Sequence, residues 1–344
     1  MALQYAFPIS SSQPDIVRNF FTSFPLDWYD QVLNLGSLPV VAFLHGGDQS
    51  ADDFMFGVGR IQEWWEGAFQ GTQVKACAYA PQGASLNGKG AWNAGIMGTI
   101  ARLSGVDDVS FFFDGLNRFE QYLLDWYANV IQPVTSGGAI TAVFDRNRLM
   151  LVGFSEGGQM AYRLAAVAAA NGWTVSAMCV FGSSIGGWYR QVDFNPGGLA
   201  ANVVWTVSPV PSLFHVHGNF DTFVNPVADG WSPQVQAAAT AQVPLTPSDY
   251  ATADISGQNS AGLYVTLANA IPGWAAVGGA APPASIPAGV AGLSAFTTNN
   301  WDSTGGAVAD RQVCFARVGG GMAHVVPAWG PDTMVEFFLT WGGL

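Results

Sequence analysis

Asp145-Arg146-Asn147-Arg148-Leu149-Met150-Leu151-Val152-Gly153-Phe154-Ser155-Glu156-Gly157-Gly158-Gln159-Met160-Ala161-Tyr162 carries the strongest structural signal in the chain. An apolar run from Leu149 to Val152 reads as a strand. It enters a glycine-flanked serine, and an alanine-rich helical pattern follows from Gly158 to Asn171, with Gly172 placed as a C′ glycine. A serine on a sharp strand-to-helix turn stands proud of a sheet with the positive end of a helix behind it. Gly153 and Gly157 lack the Cβ that would block so tight a turn. Ser155 is therefore the candidate nucleophile.

Glycine is abundant here, with 42 of 344 residues, and G-x-S-x-G occurs a second time as Gly182-Ser183-Ser184-Ile185-Gly186. That copy also follows an apolar run, Val175 to Phe181. It leads into Asn195-Pro196-Gly197-Gly198, which carries turn signals and no helical period. Strand–turn–helix context singles out Ser155 over Ser184.

Outward from this centre, Leu38 to Leu44 is a continuous apolar run of the kind buried on both faces of a parallel sheet, ending in His45-Gly46-Gly47-Asp48. Glycines there let backbone N–H groups point into a site, as an oxyanion hole requires. The expected donors are the N–H of Gly47 (or Gly46) and that of Glu156, so that Glu156 acts through its backbone. Val74 to Ala80 reads as another strand, and Gly88 to Gly95 as a glycine-rich loop. Phe119, Tyr122, Leu123, Trp126, Tyr127 and Val130 fall at helical spacing. Strands follow at Val175 to Phe181, Leu213 to His217 and Gln312 to Val318, with a closing helix from near Asp332; residues 1–37 suggest edge strands. The order predicts an α/β fold with a mostly parallel sheet and helices on both faces. The expected organisation is a single domain over 1–344, with a cap-like or loop-rich insert at about 227–295, where Ala, Gly, Pro, Ser and Thr dominate.

The bulk numbers narrow the partners. Net charge is −12, and Lys75 and Lys89 are the only lysines, so nothing could neutralise a phosphate backbone and nucleic acid is not an expected partner. No apolar run approaches the ~18 residues of a membrane span. Cys77, Cys179 and Cys314 each sit in an apolar strand-like run and read as buried free thiols. No Cys/His spacing suits a metal, and no cofactor is implied. The N-terminus lacks the basic and apolar regions of a signal peptide, so one is expected to be absent or already removed, while the low charge and scarce lysine lean toward an exported protein.

A serine nucleophile needs a base and an acid. In hydrolases with this turn the chain order is serine, acid, histidine. Of the four histidines, His45 precedes Ser155, and His215 and His217 lie within a strand; His324 follows a strand on a loop and is the expected base. No glutamate lies between Glu156 and His324, and Asp221 is the aspartate that closely follows a strand, so it is the expected acid.

With these residues in place, the chain resembles the esterase group that joins polyhydroxybutyrate depolymerases to feruloyl esterases in the α/β-hydrolase superfamily. The matching blocks are Leu44 to Phe54, Ala91-Trp92-Asn93-Ala94-Gly95, Val106-Asp107-Asp108-Val109, Gly153 to Leu164, His217-Gly218-Asn219-Phe220-Asp221 and Gly321-Met322-Ala323-His324. The resemblance implies an α/β-hydrolase fold and a serine esterase with the triad Ser155, Asp221 and His324. It further implies substrate contacts from Trp92, Asn93 and Val326, and an apolar, aromatic or polyester-like ester as substrate. This chain has Ala91 where the group often has Cys, and Val326 where a Trp is common. The alternatives are a serine peptidase of the same fold and a non-catalytic binding protein built on it.

Overall fold

The computed structural model describes residues 2–10, 17–54, 76–86, 89–94, 105–135, 137–183, 211–218, 298–302, 313–319, 324–326 and 330–342. Ser184, Asp221, the Trp64-Trp65 pair, Gly321 to Ala323 and the 227–295 insert lie outside them.

The strands, in chain order, are β1 (Ala2–Ser10), β2 (Val17–Pro25), β3 (Leu38–Leu44), β4 (Cys77–Pro81), β5 (Ala84–Leu86), β6 (Lys89–Ala91), β7 (Phe144–Phe154), β8 (Val175–Phe181), β9 (Ser212–Gly218), β10 (Thr298–Asp302) and β11 (Val313–Gly319). The main helices are α1 (Trp28–Leu35), α2 (Asp108–Trp126), α3 (Glu156–Val167) and α4 (Gly330–Trp341). Nine strands form one sheet in the order β1-β2-β4-β3-β7-β8-β9-β11-β10, and β5 with β6 makes a separate hairpin. The strands from β4 through β11 in that order are mutually parallel. Within this sheet, antiparallel pairing is confined to the flanks, where β1, β2 and β10 lie. With a serine on the turn after the central strand β7, this is an α/β-hydrolase fold.

Alternation along the central strands divides the core in two. Val40, Ala42, Leu44, Leu149, Leu151, Met178 and Val180 face α2 and α3. Val41, Phe43, Met150, Val152, Phe154, Cys179 and Phe181 face α4 through Met334, Val335, Phe337 and Phe338. Both faces are covered, so the strands read as unbroken apolar runs. Truncating one such side chain, as in Leu151→Ala, costs about 2–5 kcal/mol. Cys77 and Cys179 are free and buried, and burial pushes both thiols well up. Cys314 lies in β11.

The centre strand and α2 differ from the sequence reading in extent. The centre strand begins at Phe144, five residues before the apolar run, so Asp145 to Arg148 are also extended. Their polarity is tolerated because partners are at hand. Glu120 on α2 accepts the N–H groups of Val143 and Phe144, each at 2.9 Å, and pairs with Arg146. Asp145 in turn accepts from Arg148 at 2.6 Å. The second difference is in α2, whose capping Asp107 accepts from Ser110 N–H at 3.0 Å. Its apolar face holds through Tyr127, but a π turn over Tyr127–Ile131 adds a residue to the turn and rotates the side chains beyond it. Val130, expected on the buried face, is 55% exposed for that reason. Among the described residues, no helix is long and apolar enough to cross a membrane.

Candidate active site

Ser155 links the end of β7 to the start of α3 with φ 54° and ψ −122°. That backbone is unfavourable for a residue with a Cβ and persists only where the surroundings enforce it. Enforcement is visible on both sides. Ser155 N–H donates to the Phe181 carbonyl at 3.0 Å, and its own carbonyl accepts from Gly158 N–H at 3.0 Å and Gln159 N–H at 3.3 Å. A Cβ on Gly153 would lie 2.5 Å from the Gly157 carbonyl oxygen, and one on Gly157 would strike the end of β3. The helix therefore starts at Glu156, directly after the serine, two residues earlier than the periodicity suggests. It tightens into a 3-10 turn over Ala169–Asn171, and Gly172 closes it in the left-handed region, as the sequence indicated.

His324 Nε2 lies 2.8 Å from Ser155 Oγ. Its ring packs on Phe154 with centroids 4.8 Å apart. His215 is wholly buried and hydrogen-bonded to the Tyr162 hydroxyl, which fits a structural role. Asp221 falls three residues beyond the end of β9 and outside the described residues. In the β9–β11 register Gly218 pairs with Gly319, so the strand ends that lead toward Asp221 and His324 are adjacent.

The loop after β3 is braced by its own histidine. Gly83 N–H donates to His45 Nε2 at 2.9 Å, which makes Nε2 an acceptor and leaves the proton on Nδ1, 2.7 Å from the Gly46 carbonyl. Burial lowers the pKa of His45 from 6.5 to about 4, so the ring is neutral. Gly46 N–H is taken by Gln49 Oε1 at 2.9 Å. Asp48, with φ 62°, donates its N–H to Gly90 at 2.8 Å. The turn at Gly46-Gly47-Asp48 is thus held from three directions.

Trp92 and Asn93, expected at the substrate, are placed in the scaffold. Trp92 is wholly buried, packs against the His45 ring with centroids 4.9 Å apart and donates its indole N–H to the His45 carbonyl at 2.8 Å. The Asn93 amide donates to the Val106 carbonyl at 2.7 Å, its N–H donates to Asp108, and its carbonyl accepts from Arg163. Asp108 also pairs with Arg18. Val326 is half-buried and packs on the α4 face of the core.

On sequence grounds Glu156 acts only through its backbone. Its half-buried carboxyl group in fact packs over Gly47 and accepts the N–H of Trp92. Burial pushes its pKa from 4.5 up to about 7, against the pull of that hydrogen bond, and the charges of Asp108 and Asp48 push the same way. A glutamate directly after a candidate nucleophile, with a glycine pair elsewhere in the chain, was the available signal; only the fold shows that they touch.

No family model and no curated protein matches the chain. Among solved structures it is similar to a ferulic acid esterase, at 12% identity over 54% of this chain and 60% of that one, with a TM-score of 0.35. It is similar also to an S-formylglutathione hydrolase from Agrobacterium tumefaciens (15% identity, 71% and 85% covered, TM-score 0.38). A third is the Bacillus cereus carboxylesterase (18% identity, 67% and 82% covered, TM-score 0.33). Likeness this distant leaves the chemistry to be read from the chain's own residues.

Proposed function

We propose that the chain is a serine-dependent carboxylic-ester hydrolase. The observation that carries this reading is the 2.8 Å contact between Ser155 Oγ and His324 Nε2 at a serine held in a strained strand-to-helix turn. His324 takes the Ser155 proton as Oγ attacks the acyl carbon, and the C=O electron pair moves onto the carbonyl oxygen. That oxyanion is met by the N–H groups of Glu156 and Gly47. Gly47 is preferred over Gly46 because Gln49 already takes the Gly46 N–H. Collapse expels the alcohol, which leaves with the proton from His324. Water then attacks the acyl carbon as His324 takes its proton; collapse breaks the bond to Oγ, which takes that proton from His324, so the acid is released and Ser155 is regenerated. Asp221 is the proposed acid that orients His324, supported by its place after β9 and the pairing of β9 with β11. An apolar or aromatic ester is the proposed substrate class, with Val326 beside His324 as a substrate contact.

A fluorophosphonate probe, with parallel assays on p-nitrophenyl esters and aminoacyl anilides, tests the proposal. Labelling of Ser155 alone and turnover of the ester are expected. Preference for the anilide would make the chain a peptidase. Labelling at Ser184, or no serine-dependent turnover at all, would overturn the assignment.

A further inference from the structure

Four backbone segments meet behind the Ser155 turn: the Gly46-Gly47-Asp48 loop, the Gly90-to-Asn93 strap, the start of α2 and the start of α3. Asp48 N–H joins the first to the second through Gly90 at 2.8 Å. The adjacent N–H groups of the strap go to two different carboxyl groups, Trp92 to Glu156 and Asn93 to Asp108. Glu156 alone also reaches the loop. Its Oε2 lies 2.9 Å from the point that a Cβ on Gly47 would occupy, so the carboxyl group packs directly on the Gly47 backbone. One side chain thus spans the backbone of the proposed nucleophile turn, the Gly47 turn and the strap.

We infer that the Glu156 carboxyl group is a positioning residue for the oxyanion hole: packed on Gly47 and hydrogen-bonded to Trp92 N–H, it fixes the spacing between the Gly47 and Glu156 N–H donors. The inference rests on the ester-hydrolase reading above. Those donors belong to different segments, so without the carboxyl group between them the loop can shift relative to the helix. A donor displaced by about 1 Å costs on the order of 100-fold in rate. The site also has a charge problem. Asp108 faces Glu156 from α2 and Asp48 from the loop, while Arg18 and Arg163 act on Asp108, and His324 lies across Ser155. A carboxylate among these groups opposes a developing oxyanion, so the protonated side chain is the better brace. Burial supports that form, holding the group partly protonated near pH 7.

The experiment compares wild type, Glu156→Ala and Glu156→Gln on p-nitrophenyl acetate from pH 5 to 10, with phosphonate labelling of Ser155 as a control. The alanine variant should lose about 10- to 100-fold in kcat with KM within about twofold. Glutamine keeps the shape and the acceptor for Trp92 N–H, so it should recover most of that kcat. The wild type is expected to lose kcat above pH 7 as Glu156 ionises, and the glutamine variant should lack that decline. Alanine kcat within about twofold of wild type, or an unchanged alkaline limb in the glutamine variant, would overturn the inference while leaving the esterase reading intact. If the alanine variant does not fold, the alkaline limb of the glutamine variant alone decides. An inactive, unlabelled wild type would remove both.

Discussion

A Cβ on Gly157 would stand 2.1 Å from the carbonyl oxygen of Leu44, so the first turn of α3 rests directly on the end of β3. The proposed nucleophile turn and the end of β3 are therefore set against each other by backbone contact. Gly157→Ala should force these segments apart. A fall in Tm of several degrees, with loss of ester turnover in whatever folds, is the expected outcome by thermal melt and assay, consistent with overpacking costs of about 1–3 kcal/mol. A variant with unaltered Tm and turnover would mean that the strand and helix move freely there.

Ser155→Ala should lower kcat by several orders of magnitude while the circular dichroism spectrum is retained, because the groups of a triad act as a unit. His324→Ala should do the same. His215→Ala, by contrast, should lower Tm through its lost contact with Tyr162 and spare kcat in the protein that remains folded. A folded, inactive His215 variant beside an active His324 variant would exchange their roles.

His45 should make the fold sensitive to acid. Its pKa is about 4 folded and 6.5 unfolded, so between these values the unfolded chain binds a proton that the folded chain refuses. Stability from this group is complete above pH 6.5 and is lost as pH falls toward 4, by up to about 3 kcal/mol. His45→Gln should flatten that dependence in melts between pH 7 and 4.5. Glu156 acts with the opposite sign: its pKa is raised, so its contribution is full below pH 4.5 and lost as pH rises through 7. Glu156→Gln should therefore gain more in Tm at pH 8 than at pH 4.5. Parallel pH profiles for all three proteins would refute both assignments.

Asp221→Asn should cut kcat by orders of magnitude without unfolding the chain if it orients His324. The 227–295 insert lies between these two residues in sequence and is proposed to form part of the acyl-binding wall. Replacing residues 237–289 with a short linker should shift relative kcat/KM between acetyl and longer or aromatic esters, while Ser155 still reacts with a small phosphonate. An unchanged selectivity profile would reduce the insert to a surface feature.

Features that depend on near neighbours in the chain were legible in the sequence, and those that depend on distant ones were not. The β7–Ser155–α3 unit is local: an unbroken apolar run, two spaced glycines and an alanine-rich pattern state it within a few residues. The Gly172 terminus is local in the same sense. The extension of β7 over Asp145 to Arg148 was hidden because its support comes from Glu120 on α2. Trp92, expected at the substrate, is buried instead, and its place depends on the His45 carbonyl reached through the fold. Glu156 is the clearest case. On sequence grounds the residue after a candidate nucleophile acts through its backbone, and its side chain gains a part once Gly47, more than a hundred positions earlier, is placed beneath it.

The strand order also sets a timetable for the growing chain. Every strand from the β1 edge to the centre, together with the Ser155 turn, lies in the first part of the polypeptide, whereas β9, β10 and β11 come later. His324 stands 169 residues after Ser155. Domains emerge from the ribosome N-terminus first, at roughly 5–20 residues per second. Half of the sheet, with the strained serine turn at its centre, can thus assemble around ten seconds or more before its proposed base is synthesised. During that interval the serine lacks His324, so a nascent or prematurely terminated chain carries the turn without the means to activate it.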